Sequence, residues 1–320
     1  MKLRAGGHAL SLLSTPLSAQ VLEALREGPT SLVDLRRATG SPPATTMRGH
    51  MRRLVEIGAL ERTREPGFPG ATTYGLTRSG EELVAVGDEL RAWLADAPTG
   101  PIETGTPAAR SSVKALIDAW STGIVRVLAA RPVSLTELSG LITSTSYPSL
   151  ERRLSAMRLC GQVRRLEGEA SKGTPYAATP WLRRAVVPLV AAVRWERRHL
   201  RPFPQVRRTD VESAFLLMAS LLRDIGEASG TCRLAVEVGR DAAGPVLAGA
   251  VLTVRDGQVA ACVTRLSDPA DAWASGSVDA WFDAAADGRL EALQIGGDRG
   301  LIRDVVDQAR STVVQSLGTV

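Results

Sequence analysis

The residues best placed to do chemistry in this chain are arginines, and the chemistry they suit is binding a polyanion. Arg48, Arg52 and Arg53 stand beside Thr45 and Thr46 in one stretch, and Arg152, Arg153 and Arg158 stand in a second. Each stretch is followed by further cations, Arg62 and Arg64 after the first, and Arg164, Arg165 and Lys172 after the second. Guanidinium is a planar fork that fits phosphate oxygens and guanine edges. Lysine occurs only at positions 2, 114 and 172. A codon bias would explain arginine over lysine, but not the clustering. The formal charge of +5 conceals a division, with 12 basic against 11 acidic residues in 1–96, 18 against 7 in 97–209, and 9 against 16 in 210–320. The middle third is therefore where a polyanion is expected to bind.

Other chemistry is poorly provided for. The chain has no nucleophile elbow, no GxGxxG after a strand, no P-loop and no HExxH, which argues against an enzyme and for no cofactor. Cys160, Cys232 and Cys262 are far apart, without a CxxC or a nearby histidine, and are expected to be small buried apolar residues rather than metal ligands or a disulfide framework. Asp268, Asp271, Asp279, Asp283 and Asp287 are read as solvated charges that keep their end of the chain off DNA.

The elements that position the arginines come from a repeat. Gly28 to Leu35 aligns with Arg131 to Leu138, and Gly58 with Gly161, at an offset of 103; Tyr74 to Thr77 then aligns with Tyr176 to Thr179, and Trp93 with Trp195, at 102. A one-residue change confined to one stretch marks a loop. In the first copy the pattern predicts a helix over 17–27 and a second from an N-cap at Ser31 to Gly40. A third runs from Thr45 to Ile57, with Met47, Met51, Leu54 and Val55 as its apolar stripe. A strand over 60–64, a tip at Glu65 to Gly70, a return strand over 72–76 and a helix capped by Thr77 complete the copy. The second copy predicts helices over 115–130, 134–141, 147–159 and 180–199 around a ribbon with its tip at Gly168 to Thr174. Helix, helix, turn, helix and a two-stranded wing is the winged helix-turn-helix plan. In such a motif the N-terminal residues of the second helix meet base edges, so Thr45, Thr46 and Arg48 are the candidate base readers, while Arg52 and Arg53 suit phosphates. Arg48 corresponds to Glu151 and Arg52 to Ser155, so the two helices cannot read the same bases.

The run LEALREGPTSLVDLRR, the third helix ending LVEIGALER and the return TYGLTRSGEEL with its closing tryptophan resemble HxlR-type winged-helix regulators, relatives of the MarR group. The second copy, through RPVSLTELSG, LSAMRLCGQVRR and PYAATPWL, is a weaker version in which Trp181-Leu182 replaces the usual glycine of the wing return. The resemblance implies a transcriptional regulator of double-stranded DNA. Regulators of this type usually pair as dimers; two copies in one chain could make that pairing internally, giving a monomer with an internal pseudo-dimer, or a homodimer.

From about 211 the pattern changes to a helix, the strand CRLAVEV, and a hairpin turning at Asp256-Gly257, with helices over 277–286 and 301–314. The hairpin, the acidic stretch DPADAWASGSVDAWFDAAADGRL and LQIGGDRGLIRDVV resemble the sterol carrier protein type-2 family. That resemblance implies a small α/β domain that takes an apolar ligand, with Phe215, Met218, Leu222, Trp273, Trp281, Phe282 and Ile295 as lining candidates. The expected fold class is thus α+β: winged helices in 1–96 and 111–200, linkers at 97–110 and 201–210, and a sterol-carrier-like domain over 211–320. At 320 residues, 44% hydrophobic and with a mean hydropathy of zero, the chain is long enough for two or three cores. No apolar run approaches the roughly 20 residues of a membrane span and the N-terminus lacks a secretory pattern, so a cytoplasmic protein without a membrane partner is expected. The leading expectation is a regulator controlled by a hydrophobic effector, with residues 211–320 removable without loss of DNA binding. The alternative is a self-protection protein that sequesters a hydrophobic compound, its winged helices serving as scaffold.

Overall fold

The computed structural model describes residues 4–64, 72–167, 173–203 and 205–314. Helices α1 (Gly7–Leu13) and α2 (Pro16–Ala24) lead to a short strand β1 (Thr30–Ser31). Ser31 caps α3 (Leu32–Ala38) by accepting the Asp34 N–H at 3.2 Å, and α4 (Ala44–Glu56) follows the turn. Met47, Met51 and Leu54 of α4 are fully buried, but Val55 is 36% exposed, so the inward stripe is one residue narrower than the spacing suggested. Strands β2 (Leu60–Arg64) and β3 (Thr72–Leu76) form an antiparallel wing, with β1 on the far side of β3. The expected tip at Glu65 to Gly70 lies outside the described residues. Thr77 then caps α5 (Arg78–Ala95), accepting from the Gly80 N–H at 3.1 Å and donating to the Gly58 carbonyl. Gly80 is required there, because a Cβ would stand 2.1 Å from the Ala59 carbonyl oxygen.

The same order of elements recurs downstream: α6 (Pro107–Ile117), α7 (Ala119–Ala130), β4 (Val133–Ser134), α8 (Leu135–Leu141), α9 (Tyr147–Leu159), β5 (Val163–Arg165), β6 (Pro175–Ala178), α10 (Pro180–Arg184) and α11 (Val186–His199). Its three strands lie in the order β4-β6-β5, against β1-β3-β2 upstream. Ser134 accepts from Glu137 N–H at 3.2 Å and Thr179 from Leu182 N–H at 3.2 Å, as Ser31 and Thr77 do for their helices. Three boundaries differ from expectation. Thr106 caps α6, so ordered helix begins inside the expected connector. The single helix expected over 115–130 is two, parted at Asp118, and the one expected over 180–199 is parted at Ala185. Pro188 explains the last break, since its ring collides with the carbonyl four residues back, that of Arg184.

The remainder comprises α12 (Arg208–Ala219), β7 (Gly230–Asp241), β8 (Gly244–Arg255), β9 (Gln258–Val263), β10 (Ala272–Ser277), α13 (Val278–Asp287), β11 (Gln294–Gly297) and α14 (Arg299–Val314). α12 starts at Arg208, so its first three residues lie inside the expected second linker. Asp256 and Gly257 both take positive φ, 48° and 69°, the paired left-handed conformation that closes a two-residue hairpin. One five-stranded sheet results, ordered β11-β10-β7-β8-β9, with β10 parallel to β7 and the other pairs antiparallel.

These elements pack as two compact units that do not follow the three segments read from sequence. One unit holds Ala5–Ile117 with Pro188–Pro204, so most of α11 belongs with the upstream winged helix. There α1 packs on α5 and α6, the Trp195 indole donates to the Ser79 carbonyl at 2.7 Å, and the buried Glu196 carboxylate accepts the N–H groups of Gly6 (2.7 Å) and Ala9 (2.9 Å). The supposed connector also folds back, with Ile102 N–H donating to Leu94 O.

The other unit holds Met1–Arg4, Asp118–Val187 and Gln205–Val320. Its organising element is α12, which packs on α7 and α10 and also on β8 and β9. Glu212, 1% exposed, is paired to Arg126 of α7 and to Arg208 at 2.7 Å, and the buried pair Arg4–Asp210 closes at 3.2 Å. A cut at residue 211 would divide α12 and strip α7 of its cover, so the packing offers no boundary there. The double variant Arg126→Ala/Arg208→Ala strands the Glu212 carboxylate and is expected to cost about 3 kcal/mol. Glu212→Gln removes the charge as well and is expected to cost clearly less; denaturant titration of the three proteins checks the order.

A second buried carboxyl sits on α5. Glu89 is 4% exposed, and burial, aided by neighbouring Asp88, pushes its pKa from the ordinary 4.5 up to about 7. A carboxyl with a raised folded pKa binds its proton more tightly in the folded state. Its contribution is therefore complete in acid and lost as pH rises through about 7. Unfolding free energy is expected to fall by about 1–2 kcal/mol between roughly pH 5 and 8, and Glu89→Gln to flatten that slope. Denaturant midpoints of both proteins across the range provide the measurement.

Candidate nucleic-acid interface

α4 is amphipathic because three residues face in and its charges face out. Thr45, Thr46, Arg48, Arg52 and Arg53 are all exposed, as are Arg62 and Arg64 on β2. Arg62 and Arg64 are two residues apart on one strand, so they share a face of the wing. Pro43 occupies the N-cap of α4 and supplies no side-chain cap, which leaves the first-turn N–H groups of a helix dipole open to an anion. The turn before α4 is held by Arg36, whose Nε donates to the Pro42 carbonyl at 3.1 Å. His50 lies beside the face with Nδ1 3.1 Å from the Ser18 hydroxyl; burial and then Arg53 lower its pKa, so it adds no charge near neutrality.

The corresponding face of α9 is less open. Leu150, Leu154 and Met157 are buried as expected, and Arg152 and Arg158 are exposed. Arg153 instead turns to the buried Asp118 at 2.7 Å, which removes it from the exposed set. Arg164 and Arg165 are exposed on β5, Arg165 donating to the Thr174 hydroxyl at 3.0 Å, while Lys172 lies outside the described residues. Tyr147, the first residue of α9, is 46% exposed, a position that sequence reasoning treated only as a helix start. Its signal was available: an aromatic residue heads α9 where Ala44 heads α4.

The apolar candidates of the last segment are only partly brought together. Leu222 is buried, with Phe215, Met218, Trp281 and Ile295 packed around the same cluster. Phe215 meets Trp281 edge to face at 5.7 Å, and the Trp281 indole donates to the Ala235 carbonyl at 2.7 Å. Phe282 is half-buried one residue further along α13. Trp273 is on the other side of the sheet: Ala272 and Ala274 of β10 are fully buried, whereas Trp273 is 39% exposed and lies over Gly296. It cannot line a site shared with Phe215.

Cys232 and Cys262 flank Leu252 on the core face, and burial pushes both thiols up to about 12, away from thiolate chemistry. Only Cys232 is fully buried; Cys160 and Cys262 are half-buried. The acidic residues are less free than expected. Asp271 accepts the Thr231 N–H and hydroxyl, both at 2.7 Å, and these bonds lower its pKa; Asp283 and Asp287 pair with Arg289. Among the described residues no cluster of three potential metal ligands occurs, and no helix is long and apolar enough to cross a membrane.

Comparison with known proteins bears on the first of these faces. Residues 13–99 match the HxlR-like helix-turn-helix family. The matched stretch contains α2 to α5 and with them Thr45, Thr46, Arg48, Arg52, Arg53, Arg62 and Arg64. Among solved structures, the crystal structure of the diamide-treated YodB from B. subtilis is 27% identical over 28% of this chain and 87% of that chain, with a TM-score of 0.26. No curated protein matches the chain.

The two adjacent arginines of α9 should separate by effect. Arg153→Ala takes the arginine from buried Asp118 and is expected to destabilise by about 1–3 kcal/mol, while Arg152→Ala stays within about 0.5 kcal/mol. Thermal or denaturant unfolding reads the difference.

Proposed function

We propose that this protein is a DNA-binding transcriptional regulator carrying two winged helix-turn-helix segments in one chain. The observation that carries the reading is the exposed face of α4 and β2 within the stretch that matches the HxlR-like family. Residues 111–200 are read as the second winged helix because their caps and strand order repeat those upstream. The pairing that separate chains would make in a dimer is read as internal. α1 and α6 hold corresponding places in the two copies and pack together, and α11, the counterpart of the end of α5, sends Trp195 to Ser79. One chain would then bind one imperfect palindrome, with Arg48 at a base edge where the second helix carries Glu151.

The last segment is read as a sterol-carrier-like domain for a hydrophobic small-molecule effector, held in the apolar cluster around Phe215, Met218, Leu222, Trp281 and Ile295. A ligand that favours one position of α12 would bias α7, on which α12 packs.

A salt-dependent gel shift on fragments selected from random DNA tests the reading. Arg48→Ala is expected to lose about 1–3 kcal/mol on the selected site and to relax its preference, while Arg53→Ala weakens selected and random DNA alike. Equal losses on both DNAs for both variants would sink the base-reading assignment, and no shift at low salt would sink DNA binding altogether. Adding a long-chain fatty acid to the same assay probes the effector half, which predicts a change in the shifted fraction.

A further inference from the structure

α9 carries one acidic residue, and it stands among cations. Glu151 is exposed, as are Arg152 and Arg158 on the same helix and Arg164 and Arg165 on β5. The neighbouring acids are engaged, Asp118 with Arg153 at 2.7 Å and Glu137 with Arg131. Among the described residues Glu151 has no ion-pair partner.

Two ordinary reasons for a glutamate on a helix fail at this position. An ion pair along the helix needs a cation three or four residues away. Those positions hold Tyr147, Pro148, Leu154 and Ser155. Arg152 is the next residue and faces elsewhere, and Arg158 is about two turns on. Stabilisation by the helix dipole fades within the first turn, whereas Glu151 is the fifth residue of α9. Tyr147, 46% exposed, and Glu151 are four apart and share a stripe, so the carboxylate is flanked by a ring rather than by a positive charge.

A carboxylate on a face offered to phosphates is repelled wherever it meets the DNA backbone. In the major groove it meets donors, the N4 amino group of cytosine and the N6 amino group of adenine. Adenine sets the N7 acceptor beside its amino group, and a carboxylate has no donor for it; cytosine presents its amino group without that neighbour. We propose that Glu151 is a specificity-determining residue of the second winged helix, accepting a hydrogen bond from the N4 amino group of a cytosine. The assignment rests on the reading of residues 111–200 as a DNA-binding winged helix. α9 would then select its base through an acceptor, where α4, with Arg48 at the corresponding position, offers donors.

The test is binding of the full chain to the fragment selected from random DNA, with each base pair replaced in turn, for the wild type, Glu151→Ala and Glu151→Gln. The wild type is expected to lose about tenfold when one particular cytosine is replaced. Glu151→Ala is expected to bind all four bases at that pair within about twofold of one another and to keep its preferences elsewhere. Glu151→Gln is expected to prefer adenine there, because its amide pairs with both N6 and N7. Two results overturn the proposal while leaving DNA binding in place. One is a pair of variants that bind selected and random DNA more tightly by a common factor, which makes the carboxylate a repulsive surface charge. The other is a pair of variants that match the wild type at every base pair. A wild type that shifts no DNA at low salt removes the DNA-binding reading itself, and the proposal with it.

Discussion

The carboxylate of Glu196 ties the two ends of one compact unit together. It is fully buried, and it reaches 190 residues back to receive the N–H groups of Gly6 and Ala9 at the start of α1. Burial raises its pKa, while the two N–H groups and His8 pull the other way. A helix of seven residues such as α1 has no stability of its own, so it persists because α5, α6 and α11 surround it and because its first turn is capped from outside. The approach is close enough to require glycine: Gly6 sits at φ +82°, and a Cβ there would come 3.1 Å from Val193 and 3.2 Å from the Leu189 carbonyl. Trp195 and His199, one residue before and three after Glu196, bind Ser79 and Glu82 of α5.

The same division bears on α12. In the unit that holds α1, α2 packs on α5. In the other unit, which contains only the first two residues of α11, α7 packs on α12. The helix that the sequence suggested as the first element of a separate domain therefore lies in one unit with α7 and α10 and packs on both. Its buried charges follow from that position, because Glu212 and Asp210 sit where α12 meets α7 and the N-terminal Arg4.

Much of the local structure was legible because caps and turns are local. Ser31, Thr77, Ser134 and Thr179 announce helices through bonds three residues long, and Asp256-Gly257 announces a hairpin through its own dihedral angles. Packing was not legible, because it depends on partners far along the chain. Arg152 and Arg153 are indistinguishable by type; they lie about 100° apart around the helix, but what one of them meets, Asp118, is 35 residues away. Trp273 was assigned by residue type, as a large apolar side chain. Strand parity, with buried alanines on either side of it, was the better guide and puts it across the sheet from Phe215. Pro188 could have predicted the broken closing helix, since the rule needs only the sequence.

Net charge by segment differs from the charge that each face leaves unpaired, and the ion pairs show why. The middle third has the largest excess of basic residues, yet many of its arginines are spent on architecture. Arg126, Arg153 and Arg208 hold Glu212 and Asp118, Arg131 holds Glu137, Arg183 reaches the Ala129 carbonyl, and Arg198 joins Glu82. The first segment is nearly balanced in charge: Glu23 on α2 and Asp88 on α5 pair with Arg26 and Arg91, Asp34 on α3 pairs with Arg37, and Glu56 and Glu61 are exposed on α4 and β2. Among the described residues Arg48, Arg52, Arg53, Arg62 and Arg64 have no ion pair, so their full charge and their guanidinium donors remain available to a phosphate backbone. A polyanion responds to the unpaired charge it can reach rather than to the sum over a segment. By that measure both faces keep charge within reach of a polyanion: among the described residues Arg48, Arg52, Arg53, Arg62 and Arg64 are exposed without an ion pair on α4 and β2, and Arg152, Arg158, Arg164 and Arg165 on α9 and β5.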